Sequence, residues 1–158
     1  IMILDIDRVF SADELAAVFQ PSRERHLETT APGRAFLKAV SAAWPNARLT
    51  LADTALAEAE VPYPVAVAAA AAAHDVPLLP ALTTTLSAFV ANIVSAGVRA
   101  IPIGQSDGPR TIAALMPAVA AQAEAALALT LDDLGGAALR ADIASMKHET
   151  QYTRLFRS

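Results

Sequence analysis

The sequence predicts an all-α fold, a single-domain helical bundle of about six or seven helices, on three observations. Alanine dominates while only 6 of the 158 residues are glycine, a composition that favours helix and disfavours a turn-rich β architecture. Apolar residues recur at helical spacing in most segments. No two alternating apolar/polar runs are placed to pair as strands. At this length one core suffices, so residues 1–158 read as one domain with 147–158 as a C-terminal tail.

Residues 11–20 read as a short helix: Ser11 as N-cap, Glu14 three residues later, and Leu15, Val18 and Phe19 on one face. Pro21-Ser22 interrupts it. The stretch 23–30 leads into a helix bearing Ala35, Phe36, Leu37, Ala39, Val40 and Ala43, closed by Trp44-Pro45-Asn46. Pro32-Gly33 is expected to kink or restart that helix. Thr50 or Asp53 is expected to cap a short helical turn reaching about Glu60. Val61-Pro62-Tyr63-Pro64 is a stop followed by a start, with Pro64 at a first helical position where its missing N–H costs nothing. The six alanines at 68–73 could pass for a low-complexity linker, but Val65, Val67 and the helix propensity of alanine predict a thin, closely packed helix.

Residues 76–98 carry no charge and are long enough to span a bilayer. Against a membrane span stand Pro77, Pro80, Thr83, Thr84, Thr85, Ser87, Asn92 and Ser95, and the lack of a basic cluster beyond Arg99. The favoured reading is the buried central helix of a soluble bundle. There Ser87, Ala91 and Ser95, four apart, would admit a close neighbour, and a buried Asn92 would need a hydrogen-bond partner. The stretch 99–108 is a loop. A long helix is expected from about 109 to 129, bent at Pro117, and another from about 131 or 136 to 146, with Gly135-Gly136 a weak point.

The charge balance and the missing cysteines remove several function classes. The net charge is -4. Residues 140–158 hold four bases (Arg140, Lys147, Arg154, Arg157) against two acids (Asp142, Glu149), so the rest of the chain is the more acidic. No basic stripe exists to release counterions from nucleic acid. Without cysteine there are no disulfides, thiolate metal sites or cysteine nucleophiles, and the cytosol fits. The opening Ile1-Met2 reads as an internal start with sequence in front of it, and no basic segment ahead of an apolar stretch marks a signal peptide.

Local chemistry gives little. Gly104-Gln105-Ser106-Asp107-Gly108 lacks the Gly-Lys-Ser/Thr of a phosphate loop and a preceding strand. It reads as a tight connection in which Asp107 caps the helix starting near Pro109, while Gln105, Asp107 and Arg110 form an exposed contact surface. Asp132-Asp133, adjacent in sequence, point about 100° apart on a helix and cannot share a proton as a dyad does; helix N-terminal charges are the plainer reading. The histidines His26, His74 and His148 form no HxxxH pair, and His148-Glu149 offers at most a surface ligand. Ser106 and Ser145 have no nucleophile-elbow context. The expectation is no catalytic residue, no cofactor and no metal site.

The final thirteen residues differ from the rest. They hold one of the two tyrosines, one of the five phenylalanines, and both Arg154 and Arg157. Rings mixed with arginines are the residue types enriched where one protein anchors on another. The alternative is that Tyr152 and Phe156 fold back and finish the chain's own core.

Four stretches, taken together, resemble the urease accessory protein family UreF: Pro21-Ser22-Arg23-Glu24-Arg25-His26-Leu27-Glu28-Thr29 with Gly33-Arg34-Ala35-Phe36; Tyr63-Pro64-Val65-Ala66; Asn92-Ile93-Val94-Ser95-Ala96-Gly97-Val98-Arg99 with Ile101-Pro102-Ile103-Gly104-Gln105-Ser106-Asp107-Gly108; and Leu131-Asp132-Asp133-Leu134-Gly135 with the whole of 142–158. The likeness runs from about residue 11 to the end. The family's N-terminal section, with its Ser-His-Gly-Leu-Glu-like segment, has no counterpart here. Pro32 and Pro109 stand where the family more often has other residues.

The resemblance implies an all-α, often dimeric, cytoplasmic protein without catalysis of its own. It implies work with UreD (UreH in some species) and the GTPase UreG in loading nickel into apo-urease. On that basis the expected UreD-side residues are Lys147, His148, Glu149, Gln151, Tyr152, Arg154, Leu155, Phe156 and Arg157, and the UreG-side residues Gln105, Asp107 and Arg110. The alternative function is another all-α interaction scaffold with no catalytic activity.

Overall fold

Seven α-helices follow one another in the computed structural model, which describes residues 6–152: α1 Ile6–Val18, α2 Arg23–Ala43, α3 Ala47–Ala55, α4 Tyr63–Ala73, α5 Leu78–Ala100, α6 Asp107–Ala126 and α7 Leu139–Glu149, with a short 3-10 helix at Leu131–Asp133. No strand occurs among the described residues, so the fold is all-α as the composition predicts. Contacts gather the chain into two units, 1–75 with 134–158, and 76–133.

In the first unit α2 is the organising helix. Ser22 is its extended N-cap, and the Ser22 hydroxyl accepts from the Arg25 N–H at 3.2 Å. The helix does not restart at Pro32 but runs from 23 to 43 in one piece. Burial of Thr30, Gly33 and Leu37 around the proline holds the turn that a missing N–H alone would loosen. Gly33 is where α2 meets the start of α4, backbone against backbone. A Cβ there would overlap the Val61 carbonyl oxygen and stand 2.8 Å from both Pro62 C and Tyr63 N. One turn along, the Phe36 and Tyr63 rings meet edge to face with centroids 5.4 Å apart. The core that follows is Leu37, Leu49, Leu56, Val61, Ala66, Ala70 and Ala73. α4 buries Ala66, Ala69, Ala70, Ala72 and Ala73, so the alanine run is a thin packed helix and not a linker.

The expected cap of α3 at Thr50 or Asp53 is corrected: both lie inside the helix, and Asn46 caps it. The Trp44-Pro45 break leaves Asn46 extended, so its Oδ1 accepts from the Arg48 and Leu49 N–H groups at 2.8 and 3.4 Å. Its Nδ2 donates to the Ala73 carbonyl at 2.9 Å, closing the end of α4 with the same side chain. Asp75, just beyond, takes a left-handed φ of 56° and pairs with Arg48 at 2.7 Å. The Arg34 guanidinium gathers the Leu56, Ala57 and Ala59 carbonyls past the end of α3, with Asp53 at 3.6 Å. A cation is favoured at that end of a helix.

The second unit corrects the reading of 76–98. α5 is not a buried central helix: none of its residues is buried, and Phe89 and Ile93 are more than half exposed. Within this unit α5 packs against α6, which covers one side only. Thr83, Thr85 and Ser87 each donate to the carbonyl four residues earlier, so the helix hides its hydroxyls without needing burial. Asn92 is exposed and needs no buried partner. By length and composition alone α5 could cross a membrane. α6 meets α5 at Gly108, where a Cβ would stand 3.0 Å from Val98 Cγ2. α6 begins at Asp107, two residues before the expected start, with Pro109 in its first turn where no N–H partner is required, and it continues through Pro117.

Candidate functional site: the α7 latch and the 104–110 turn

α7 is held to the N-terminus of α2 by polar side chains. Glu149 Oε1 accepts from the Arg23 N–H at 2.6 Å and the Glu24 N–H at 3.4 Å. These are the first N–H groups of α2, which have no carbonyl of their own helix to bond, and a carboxylate is favoured at that positive end. His148 Nδ1 lies 2.5 Å from Glu24 Oε2, and the Ser22 and Ser145 hydroxyls are 2.6 Å apart. Ser22, Arg23 and Glu24 at the start of α2 thus meet Ser145, His148 and Glu149 at the end of α7. Glu24 is buried and His148 and Glu149 are half-buried.

This latch divides the tail residues singled out from the sequence. His148 and Glu149 engage α2 of the same chain. Lys147 and Gln151 are exposed, and Tyr152 is 97% exposed. Arg154, Leu155, Phe156 and Arg157 lie outside the described residues. The pairing of α7 with α2 was not legible in either motif alone, because each is locally a plain helix end.

The second region is the turn before α6. Asp107 Oδ2 accepts from the Gly104 N–H at 3.1 Å, which closes the turn; it is not a side-chain cap of a helix starting at Pro109, since Asp107 is itself the first residue of α6. Arg110 Nη1 donates to Asp107 Oδ1 at 3.3 Å. Gln105, Asp107 and Arg110 are all exposed.

The remaining candidates fall to structural roles. Asp133 Oδ2 accepts from the Thr130 N–H at 2.8 Å and the Thr130 hydroxyl at 2.9 Å, and these bonds lower its pKa below the ordinary carboxylate value. Asp132 and Asp133 sit in the 3-10 helix rather than at the start of an α-helix. His26 Nε2 lies 2.9 Å from Glu60 Oε2, and exposed His74 is the C-cap of α4. Among the described residues no three His, Asp or Glu side chains converge as metal ligands.

One group sequence reasoning missed is Asp13. It is buried, its Oδ1 has no hydrogen-bond partner among the described residues, and it borders an open cleft also lined by Glu14, Glu58 and Glu60. Desolvation raises its pKa above the usual value, Arg34 opposes that, and Glu14 and Glu60 add to it. A carboxyl raised on folding holds its proton more tightly in the native state, so stability falls as pH rises from the unfolded Asp pKa through the folded one. Asp13→Asn is therefore expected to melt at a higher temperature than the parent at neutral pH. The gain should disappear below about pH 3.9, the ordinary Asp value; equal melting temperatures at pH 7 would refute this.

The UreF family profile matches residues 3–116. The urease accessory protein UreF of Bradyrhizobium sp. (strain ORS 278) is 54% identical over 155 residues, which is 98% of this chain and 63% of the relative. That of Rhodopseudomonas palustris (strain BisB18) is 56% identical over 156 residues, 98% of this chain and 64% of the relative. That of Xanthobacter autotrophicus is 56% identical over 144 residues, 91% of this chain and 59% of the relative. The chain thus spans less than two thirds of the length of these relatives. With the family profile covering well over half of its residues and identities above one half along nearly all of its length, the chain belongs to the UreF family.

Proposed function

We propose that this chain acts in urease maturation as a cytoplasmic adaptor without catalysis of its own, bridging UreD (UreH) and the GTPase UreG in the assembly that delivers nickel to apo-urease. Nickel here is cargo, and no cofactor is called for. Family membership supports the reading. The observation that carries it is the end of α7: a helix fastened to the chain's own α2 by His148 and Glu149, which then releases Tyr152 to solvent. In this account Lys147, Gln151, Tyr152, Arg154, Leu155, Phe156 and Arg157 meet UreD, while His148 and Glu149 fix the direction from which the tail departs. The UreG contact is assigned to Gln105, Asp107 and Arg110, and self-association as a homodimer belongs to the same reading.

The structure refines how the UreG contact should be tested. Asp107 closes its own turn, so replacing it disturbs the loop as well as any interface. Among the described residues the Arg110 side chain bonds Asp107 in an exposed pair, and such pairs contribute about 0–1 kcal/mol to stability. Arg110→Glu is expected to weaken assembly with UreG at least tenfold, with helical circular dichroism and melting unchanged. An undiminished UreG complex would remove this surface from the account.

A further inference from the structure

α1 and the connection from α3 to α4 border an open cleft of about 570 Å³, within the size range of small-ligand sites. Four carboxylates line it, Asp13 and Glu14 from α1 and Glu58 and Glu60 from beyond α3, with no basic side chain among the lining residues. Between them the walls are apolar, formed by Ala17, Val18, Ala55 and Ala59. Glu14, Glu58 and Glu60 are exposed, as glutamates ordinarily are. Asp13 is different. It is 4% exposed, and its Oδ1 has no hydrogen-bond partner among the described residues. A buried carboxyl oxygen left without a donor is costly, and this one belongs to a side chain in the wall of a cleft. Arg34 and His26 do not answer it. Arg34 eases the charge on Asp13, but its guanidinium is turned to the Leu56, Ala57 and Ala59 carbonyls, with Asp53 at 3.6 Å. His26 meets Glu60 Oε2 instead, at 2.9 Å.

We propose that this cleft receives an arginine side chain carried on a basic segment of a partner protein, the guanidinium set between Asp13 and the glutamates and the carbon stem lying on the alanine and valine walls. The chemistry of the cleft selects the ligand. A bare divalent cation takes six or more oxygens close around it, and among the described residues no three His, Asp or Glu side chains converge to hold a metal. A guanidinium is planar and weakly hydrated, with five donors in a fork, so carboxylates spread around a cleft serve it where they do not serve a metal. A lysine ammonium is a compact, strongly hydrated point charge and fits apolar walls less well. The surroundings select the source. Val18 is 82% exposed although it lines the cleft, and Phe19, next in the chain, is 53% exposed. A free small cation would leave both in water, whereas a protein segment that delivers an arginine also brings apolar surface to cover them.

The test titrates the full chain at neutral pH with the peptide acetyl-Leu-Arg-Leu-amide, with the same peptide carrying citrulline in place of arginine, and with free argininamide, melting being followed in parallel. The arginine peptide is expected to bind with a Kd below about 1 mM, and the citrulline peptide, which keeps the shape and loses the charge, about tenfold or more weakly. Argininamide should bind roughly fivefold more weakly than the arginine peptide, since it covers no apolar surface outside the cleft. Asp13→Asn should weaken the arginine peptide about tenfold or more, the effect of neutralising one side of a charge-assisted contact. The same variant is expected to melt higher than the parent, so lost binding would not reflect lost fold. Glu14→Gln/Glu58→Gln changes exposed side chains only and should weaken the peptide roughly threefold with melting unchanged; it decides the matter should Asp13→Asn fail to fold. No binding of the arginine peptide to the parent, equal binding of the citrulline peptide, or parent-like binding by either folded variant overturns the site. Argininamide binding as tightly as the peptide overturns the protein source in favour of a free guanidinium compound. Self-association of the parent that Asp13→Asn abolishes overturns it in favour of a second copy.

Discussion

Gly33→Ala is expected to destabilise the protein by about 3 kcal/mol, at the upper end of the cost of overpacking a core. Alanine normally stabilises a helix interior relative to glycine by about 1 kcal/mol, so the sign is opposite to what propensity alone predicts. The reason is local. The new Cβ would overlap the Val61 carbonyl oxygen and press on Pro62 and Tyr63 backbone atoms, none of which can rotate away as a side-chain tip can. Relief requires α2 and the start of α4 to separate, which loosens the Phe36–Tyr63 ring contact and the burial of Leu37 and Val61. Chemical denaturation with unchanged m-value measures the effect. A variant as stable as the parent would mean that α2 and α4 do not approach as closely as described.

The second large effect concerns the C-terminal tail, where two truncations should behave differently. A chain ending at Glu149 keeps the latch: the Glu149 carboxylate on the first N–H groups of α2, the His148–Glu24 contact and the Ser22–Ser145 hydrogen bond. Its melting temperature should match that of the full chain. A chain ending at Met146 loses the first two. A charged cap and a charge-assisted contact are each worth about 1 kcal/mol or more, so this chain should lose roughly 2 kcal/mol and melt several degrees lower. Equal melting of the two truncated chains would show that the latch contributes nothing to stability.

Much of this architecture is legible from local patterns. Pro64 at a helix start and the alanine run 68–73 mark elements that the structure contains, because propensities act within one turn of chain, whereas Ser11, expected as an N-cap, lies inside α1 and Ser22, read only as an interruption, caps α2. Asn46 shows where local reading falls short. Trp44-Pro45-Asn46 reads locally as a stop, yet the same asparagine opens the next helix and closes another 27 residues away. Pro32 is a further case, since a proline within a helix is tolerated when buried neighbours on both sides hold the turn. Lack of charge predicted burial for α5, but composition says only that a helix can be buried and not whether anything covers it. The latch was the least legible feature. Its three pairs join residues more than 120 positions apart, and a lone His-Glu dipeptide looks the same whether it meets a metal, a partner or its own helix.

The central claim is that the tail beyond the latch reaches a partner while the latch itself serves the fold. Calorimetric titration of UreD into the full chain and into the chain ending at Glu149 tests it most directly. The account predicts that the full chain binds and that the shortened chain, equally stable, binds at least a hundredfold more weakly, a difference of about 2.7 kcal/mol. Undiminished binding by the chain ending at Glu149 would contradict it.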